Sequence, residues 1–269
     1  MEALRPRIER IANDLLDAWE TEDEVDVIDT FAYPLPITVI CELLGVPEQD
    51  RADLRALSAA LMVPETTAEA FGGLTTWTQH LVDTKEPGDD VITELRHEPN
   101  IVSTIVLLIT AGHETTVQLI GSGLLALLRD PAMKRVLADN PILLPEAVDE
   151  LLRYDGPFSL GLARTATTDV VIGGVTIPRS SSITVSLGAA NRDPSRYPNP
   201  DALQLGRDPH VAFGHGIHYC VGARLARIEG EIAFETLLRR FPELVLADEP
   251  EWRVGFIRGL ASFRVRPKP

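Results

Sequence analysis

Cysteine is almost absent from this chain, since only Cys41 and Cys220 occur among its 269 residues. Two thiols cannot build the disulfide framework that holds small secreted proteins together, so we expect a reducing, cytoplasmic location. Basic residues are also scarce, with 25 against 40 acidic residues and a formal net charge of −15. Because nucleic-acid binding needs clustered lysine and arginine, we expect no nucleic acid among the partners.

Long apolar stretches are missing as well. The longest run, residues 101–109, contains Ser103 and Thr104 and is too short to span a bilayer. Residues 1–10 are rich in charge and lack the apolar core of a signal peptide. From these features we expect a protein without membrane contact.

Apolar residues recur at helical spacing through residues 1–160. The pattern predicts one long helix over residues 100–129, with Pro99 just before it and Pro131 just after it. Its segment 105–111 is apolar on nearly every side, so we expect this helix to run buried through the middle of the protein. Shorter helices are predicted over residues 4–19, 36–44, 49–62, 67–84, 131–137 and 141–154.

After Gly156 the chain changes to short β-like runs separated by glycine and proline. An irregular stretch follows, and residues 222–241 return to a helical pattern. The predicted strands cover residues 170–172, 175–177, 183–187, 244–246 and 263–265. Together these patterns predict a mainly α protein with small β-sheets, in which residues 1–269 form a single domain. Residues 161–269 supply the strands, an irregular meander, a cysteine-containing loop and a final helix.

The loop ahead of that final helix, residues 213–222, reads FGHGIHYCVG and contains Cys220. Backbone N–H groups at a helix N-terminus favour an anion and so stabilise a thiolate, which is the form of cysteine that binds iron. The glycines would let the backbone approach a flat macrocycle, and Phe213 could shield the sulfur. The alternative is a buried structural cysteine, which is our interpretation of Cys41 because it lacks all these features.

A second polar group interrupts the long predicted helix at residues 111–116, which read AGHETT. A carboxylate and a hydroxyl in the middle of an apolar helix are costly unless they are used. Gly112 removes a side chain where a small ligand could sit, and Thr115 could loosen the helix by bonding to a carbonyl one turn earlier. The alternative interpretation is a solvent-facing notch.

Both segments resemble signatures of the cytochrome P450 family. Residues 213–222 match its cysteine loop, Phe-x-x-Gly-x-x-x-Cys-x-Gly, and residues 111–116 match its oxygen-side motif, Ala/Gly-Gly-x-Asp/Glu-Thr-Thr. The resemblance implies a heme-thiolate monooxygenase that holds heme b through Cys220, the metal ligand, and activates O2. It also implies cofactor contacts for His218, Arg164, Phe213, Gly214, Gly222, Ala111 and Gly112, with the first two pairing with heme propionates, and catalytic roles for Thr115 and Glu114.

Three further residues match a structural feature of the family. Glu150 and Arg153 fit its Glu-x-x-Arg motif, and Arg207 stands where the family has a later arginine. By the resemblance these side chains form a buried triad with a structural role, to which a planar guanidinium is well suited. Ordinary surface ion pairing is the alternative, above all for Arg207.

The resemblance covers essentially the whole chain but not the whole family fold. Typical soluble members are longer at the N-terminus, where they carry a first sheet and the first helices, including part of the substrate cap. The resemblance further implies electrons from ferredoxin and ferredoxin reductase, docking near Arg224 and Arg227, and a small apolar organic substrate. Two alternatives stay open, namely a truncated or split-gene relic that binds heme poorly and is inactive, and a heme-binding protein without turnover.

Overall fold

The structure, a computed structural model, describes residues 1–253, 257 and 259–268. The predicted domain, 1–269, also includes positions 254–256, 258 and 269, which lie outside the described residues. The helices are α1 (Arg5–Asp17), α2 (Pro34–Leu44), α3 (Arg51–Leu61), α4 (Thr67–Thr84), α5 (Val91–Leu95), α6 (Ile101–Gly112), α7 (Glu114–Arg129), α8 (Pro131–Asp139), α9 (Leu144–Asp155), α10 (Leu187–Asn191) and α11 (Ala223–Arg240). The strands are β1 (Val25–Asp26), β2 (Arg164–Thr165), β3 (Val170–Ile172), β4 (Val175–Ile177), β5 (Ser182–Ile183), β6 (Val245–Leu246), β7 (Glu251–Arg253), β8 (Gly259–Ser262) and β9 (Arg264–Arg266).

Proline and glycine set the ends of several helices. α2 begins at Pro34, where the missing amide hydrogen costs nothing, and it ends at Gly45, whose φ of +73° is the left-handed conformation that glycine adopts freely. α8 begins at Pro131, and the Asp130 side chain caps it by accepting a hydrogen bond from the Met133 amide. These local signals explain why the predicted and observed helix ends lie close together.

The long helix predicted over residues 100–129 is divided in the structure. His113, with φ of −109° and ψ of −48°, belongs to neither α6 nor α7, so the prediction of an unbroken helix is wrong at this residue. Just after it, the Thr115 hydroxyl donates to the Ala111 carbonyl at 2.9 Å. Side-chain bonds of this kind compete with the backbone amide for the carbonyl one turn earlier, and they accompany bends in helices.

The expected burial of this region holds for α7 and fails for one face of α6. Ile105 and Ile109 are fully buried, whereas Leu107 is 62% exposed. Ala111 follows Leu107 by one helical turn and is exposed too. The apolar segment 105–111 is therefore buried on one side and leaves an apolar strip open on the other.

The core has two parts, which share the long helical region. In the larger part α9 and α11 pack on α7, and α1 packs on α11. Gly123 lets α7 and α11 approach closely, because a Cβ there would lie 2.6 Å from the ring of Phe234. In the smaller part α2 and α4 pack on α6, and α3 packs on α4, with Leu54 and Leu74 fully buried. The hydrophobic side chains of these helices thus bury each other on both sides of the break at His113.

The sheets are small and antiparallel, which confirms the mainly α prediction. β9 pairs with β1 and β6, β2 with β5, β3 with β4, and β7 with β8. The predicted strands β3 and β4 form a hairpin that turns at Gly173 and Gly174, both with positive φ. The strand predicted over residues 183–187 is wrong beyond Ile183, because Ser186 caps α10 by accepting a hydrogen bond from the Ala189 amide. In the described part of the chain, no helix combines the length and the apolar character needed to cross a membrane.

Candidate active site

The cysteine loop, residues 213–222, leads from the core to the surface just ahead of α11. Its two turns are made at Gly214 and Gly216, whose φ values of +74° and +73° lie in the left-handed region that favours glycine. The amide of Cys220 donates to the carbonyl of Phe213 at 3.0 Å and closes the loop. The loop is therefore a fixed bend that presents one cysteine before a helix N-terminus, as the sequence predicts.

An exposed apolar surface surrounds Cys220, whose thiol is free and exposed. Ile217 is 97% exposed and Val221 is 88% exposed, and nothing lies within 4 Å of the place where a Cβ would stand on Gly216. Apolar side chains gathered at a surface mark a site that something apolar covers. The flat apolar face of a heme could cover the exposed side chains of Ile217 and Val221, and its iron could bind the Cys220 sulfur. The residues present therefore fit a heme.

Charged side chains fix the aromatic ring behind the loop. The Arg227 guanidinium lies 4.5 Å from the centre of the Phe213 ring, and its Nε donates to Asp149 Oδ1 at 2.7 Å. His210 Nδ1 accepts from the Ala212 amide, so its Nε2 carries the proton and donates to the same carboxylate at 3.2 Å. Although burial opposes them, these two hydrogen bonds hold the pKa of Asp149 below its ordinary value. Asp149 is thus a charged anchor for Arg227.

His218 and Arg164, the two residues expected to contact heme propionates, are both exposed. His218 ends the short 3-10 turn Gly216–His218, two residues before Cys220. Arg164 opens β2, and its Nη1 donates to the carbonyls of Leu162 and Ala163, each at 3.2 Å. Their assignment to propionates stays a prediction, and Arg164 would have to exchange these local bonds for such a contact.

The junction of α6 and α7 holds the predicted oxygen-side residues. Thr115 is half-buried, and its bond to the Ala111 carbonyl is the back-bond that the sequence predicts. This bond keeps the Thr115 hydroxyl next to the exposed strip formed by Leu107 and Ala111. A Cβ on Gly112 would lie 3.3 Å from Ile40, so this glycine lets α6 pack closely on α2. The further expectation that Gly112 leaves room for a small ligand stays a prediction.

Glu114 is a buried carboxylate, so the alternative of a solvent-facing notch does not describe it. Its Oε2 accepts a hydrogen bond from Arg253 Nη2 at 2.9 Å, and its Oε1 lies 3.8 Å from His113 Nε2. Burial raises the pKa of the neighbouring Tyr33 to about 12, and the negative charge of Glu114 adds to this shift. Arg253 places a positive charge and a hydrogen-bond donor beside the buried Glu114 carboxyl group at the start of α7.

The expected scaffold triad is present and buried. Arg153 forms a two-pronged pair with Glu150, with its Nε at 2.7 Å and its Nη2 at 2.8 Å from the two carboxylate oxygens. Arg207 Nε donates to the same carboxylate at 3.2 Å. The two arginines also donate to backbone carbonyls of the irregular stretch, at Asn191 and Pro198 among others. This confirms a structural role, because the triad holds the meander against α9.

Several residues at the site have no signal in the sequence. Arg253 pairs with a residue 139 positions away, and Ser58 reaches His113 from a separate helix. Asp149 stands one residue before the Glu-x-x-Arg motif and serves a different cluster. Only the three-dimensional packing brings these partners together, so no local spacing could reveal them.

Comparison with known proteins identifies the family to which this fold belongs. The family model of Cytochrome P450 matches residues 73–254. Cytochrome P450 107B1 of Saccharopolyspora erythraea is 45% identical over 99% of this chain and 71% of its own length. Vitamin D(3) 25-hydroxylase of Pseudonocardia autotrophica is 42% identical over 100% of this chain and 72% of its own. The structure of the Bacillus subtilis cytochrome P450 PksS superposes with a TM-score of 0.93 at 41% identity, covering 100% of this chain and 75% of that one.

A helical core that presents a cysteine on a glycine-turned loop ahead of a helix is the arrangement expected of a heme-thiolate oxidoreductase. Given the extent of these matches, the chain belongs to the cytochrome P450 family of monooxygenases. Its named relatives include monooxygenases and hydroxylases. The family membership confirms the resemblance noted in the sequence, and it implies heme as the cofactor.

Proposed function

We propose that this chain binds heme b through Cys220 and uses electrons from a ferredoxin and its reductase to insert one oxygen atom of O2 into a small apolar organic substrate. The observation that carries the proposal is the exposed Cys220 thiol set among the open apolar side chains of Ile217 and Val221. We place this reaction in the cytoplasm, where reducing conditions keep a lone thiol available for a metal.

The residues of the cysteine loop would hold the cofactor. Cys220 would bind the heme iron through its sulfur, while Gly214 and Gly222 would keep the backbone beside it free of side chains. Phe213, fixed by Arg227, would shield the sulfur from water. When bound, heme with a thiolate ligand supplies the chemistry of O2 activation.

Proton supply would fall to the start of α7. The reaction consumes protons, and a hydroxyl and a carboxylate are suitable groups to deliver them. The Thr115 hydroxyl donates to Ala111 and can still accept a further hydrogen bond. Glu114 is held by Arg253, so loosening of this pair would let the carboxylate exchange protons with solvent.

The substrate would meet the exposed strip of α6. Leu107 and Ala111 offer an apolar surface beside Thr115, which suits an apolar compound rather than a charged one. The vitamin D(3) hydroxylase among the relatives is named for an apolar substrate, which supports the same class here. A panel of apolar compounds, screened by the shift that each causes in the heme absorption spectrum, would identify a usable substrate.

The heme assignment is tested by the difference spectrum of the reduced, carbon monoxide-treated protein. We expect the strongly red-shifted Soret band of a thiolate-ligated heme, and we expect Cys220→Ala to abolish it. Cys41→Ala is the matched control, because this cysteine is buried far from solvent and should leave the band unchanged. A band typical of histidine ligation, or a colourless chain after reconstitution with hemin, would refute the proposal and leave the relic interpretation.

Electron delivery would involve the surface on the Cys220 side of α11. The Arg224 side chain is 67% exposed and its pair with Glu2 lies at the surface, so it is available to an acidic partner. Arg227, by contrast, is committed to Asp149 and Phe213. Arg224→Glu should slow reduction by ferredoxin most strongly at low salt, whereas Arg239→Glu at the far end of α11 should not. Equal effects of the two changes would count against this docking site.

A further inference from the structure

The carbonyls at the end of α6 are bonded by side chains that follow the break. The last four carbonyls of any α-helix lack partners within the helix. Here the His113 ring nitrogen Nδ1 bonds the carbonyl of Ile109 at 2.8 Å. The hydroxyls of Thr115 and Thr116 bond the carbonyls of Ala111 and Gly112, at 2.9 Å and 3.4 Å. The break is thus built from side chains, and His113 is the largest of them.

The imidazole of His113 is fixed at both nitrogens. A carbonyl oxygen can only accept, so Nδ1 carries the proton and donates to Ile109, and Nε2 of the neutral ring accepts from the Ser58 hydroxyl at 2.9 Å. Both side chains are fully buried, and the Tyr33 ring packs edge-on against the imidazole with centres 5.7 Å apart. Burial lowers the pKa of His113, which keeps the ring neutral.

These contacts link three elements at one point. Ser58 belongs to α3, Ile109 belongs to α6, and His113 directly precedes α7. The two residues after His113 point to different partners, since Glu114 meets Arg253 and Thr115 meets Ala111. The direction of both side chains follows from where the helix is interrupted.

We infer that His113 is a positioning residue for the oxygen chemistry: by joining Ile109 to Ser58 it holds the break that aims Glu114 at Arg253 and Thr115 at the exposed strip. The effect of His113 on the oxygen chemistry rests on the proposed function. The geometry of the break rests on the contacts described above and does not depend on that function. Its role is exerted through Thr115 and Glu114, and no contact of His113 with substrate or cofactor is required.

Three variants separate the two hydrogen bonds. His113→Asn keeps a donor near the place of Nδ1 and loses the acceptor for Ser58. Ser58→Ala keeps the imidazole and loses its partner on α3. His113→Phe keeps a buried ring and loses both bonds. Ser122→Ala, a buried polar change further along α7, is the matched control.

The first measurement is the fraction of supplied electrons that appears as hydrogen peroxide, with a substrate from the spectral screen. We expect His113→Phe to raise the ratio of peroxide to product about fivefold, as when one ordinary hydrogen bond no longer favours the productive arrangement. His113→Asn keeps the bond to the Ile109 carbonyl and loses the bond to Ser58, so it should restore only part of the coupling, and Ser122→Ala should match the unchanged chain. An unaltered ratio in His113→Phe, with its thiolate band intact, would overturn the inference.

The second measurement does not depend on turnover. In the diamagnetic, reduced, carbon monoxide-bound protein, ¹⁵N NMR should show His113 as a neutral ring protonated at Nδ1, assigned by its loss in His113→Asn. Ser58→Ala should shift only the Nε2 resonance. A charged ring, or one protonated at Nε2, would overturn the inference even if the thiolate band is present. If that band is absent, the proposed function fails, and the same spectrum of the heme-free chain still decides the geometry.

Discussion

Arg253 Nη2 donates a hydrogen bond to Glu114 Oε2 at 2.9 Å, and this pair joins β7 to the first residue of α7. The arginine keeps a quarter of its side chain in solvent, whereas the carboxylate keeps 2%. Burial of a carboxylate is costly unless an opposite charge and hydrogen bonds compensate for it. Strand β7 thereby contributes a residue to the site at the break. The pair links the C-terminal part of the chain to the oxygen-side motif at residues 111–116.

Replacing Arg253 with Met should lower the free energy of unfolding by roughly 1.5–3 kcal/mol, the usual value of a hydrogen bond to a charged group that leaves its buried partner behind. Urea denaturation of the unchanged and altered chains measures this difference. Arg266→Met on β9 is the control and should change little, because the pair that Arg266 makes with Glu24 among the described residues is long and exposed. Equal losses of unfolding free energy in Arg253→Met and Arg266→Met would show that the buried pair with Glu114 stabilises the fold no more than a surface pair does.

Local signals account for what the sequence could predict. Gly45 and Pro131 mark helix ends, and paired glycines mark the β3–β4 turn, whereas α2 begins at Pro34, two residues before the predicted start. The cysteine loop was predictable because its glycines, cysteine and following helix are contiguous. In each case the determining residues lie within a few positions of one another, so the chain itself carries the information.

The remaining features depend on contacts between distant segments. The break at His113 follows from a bond to Ser58 on α3, which periodicity cannot reveal, so the pattern of apolar residues predicts an unbroken helix. The exposed strip at Leu107 could not be predicted for a similar reason. Apolar residues indicate which side chains favour burial, but they do not show which other segment packs over them. Long-range partners such as Arg253 are likewise set by the packing of the whole chain.

The scaffold triad should be among the least tolerant parts of the protein. Arg153→Met leaves the buried Glu150 with Arg207 as its remaining cationic partner among the described residues and frees the carbonyls that Arg153 binds, so we expect a loss of about 3–5 kcal/mol in unfolding free energy. This is a large part of the stability of an ordinary domain, and cooperative unfolding could be lost altogether. Denaturant titration checks the prediction. Arg129→Met, whose pair with Glu249 is exposed, should keep its midpoint, and a similar midpoint for Arg153→Met would contradict the assigned role.

The two cysteines should differ strongly in reactivity. Burial raises the pKa of Cys41 to about 11, so at pH 8 roughly one Cys41 thiol in a thousand is ionised, and that one is enclosed. Cys220 is exposed and should react with iodoacetamide in the native chain, as mass spectrometry of the peptides would show. Hemin added first should protect Cys220 if its sulfur binds the metal. Modification of Cys41 at a comparable rate without unfolding would contradict the described core.

Glu229 should make stability depend on pH. It is fully buried on α11, its Oε2 is without a hydrogen-bond partner among the described residues, and burial raises its pKa to about 8 from an ordinary value of 4.5. The contribution of Glu229 to the free energy of unfolding is fully present below pH 4.5 and is lost as the pH rises to about 8. In this window the Glu229 side chain ionises in the unfolded chain and stays protonated in the folded one. Between pH 5 and pH 7 we expect a loss of about 2–3 kcal/mol, measured by denaturation. Glu229→Gln should remove this slope, and Glu235→Gln, at an exposed position on the same helix, should retain it. A slope that survives in Glu229→Gln would assign it to other groups.

The Thr115 hydroxyl should matter for coupling and not for heme binding. Thr115 and Thr110 make the same kind of bond to a carbonyl one turn earlier, at 2.9 Å in both cases, but only Thr115 follows the break. Thr115→Ala should therefore keep the thiolate band and raise the ratio of hydrogen peroxide to product by about tenfold or more. A tenfold change is modest, because a positioned proton donor typically contributes about a hundredfold or more to a rate. Thr110→Ala should keep both the band and the coupling, since it removes an equivalent bond away from the site. Peroxide and product are measured per electron supplied, and normal coupling in Thr115→Ala would show that the hydroxyl only stabilises the helix junction.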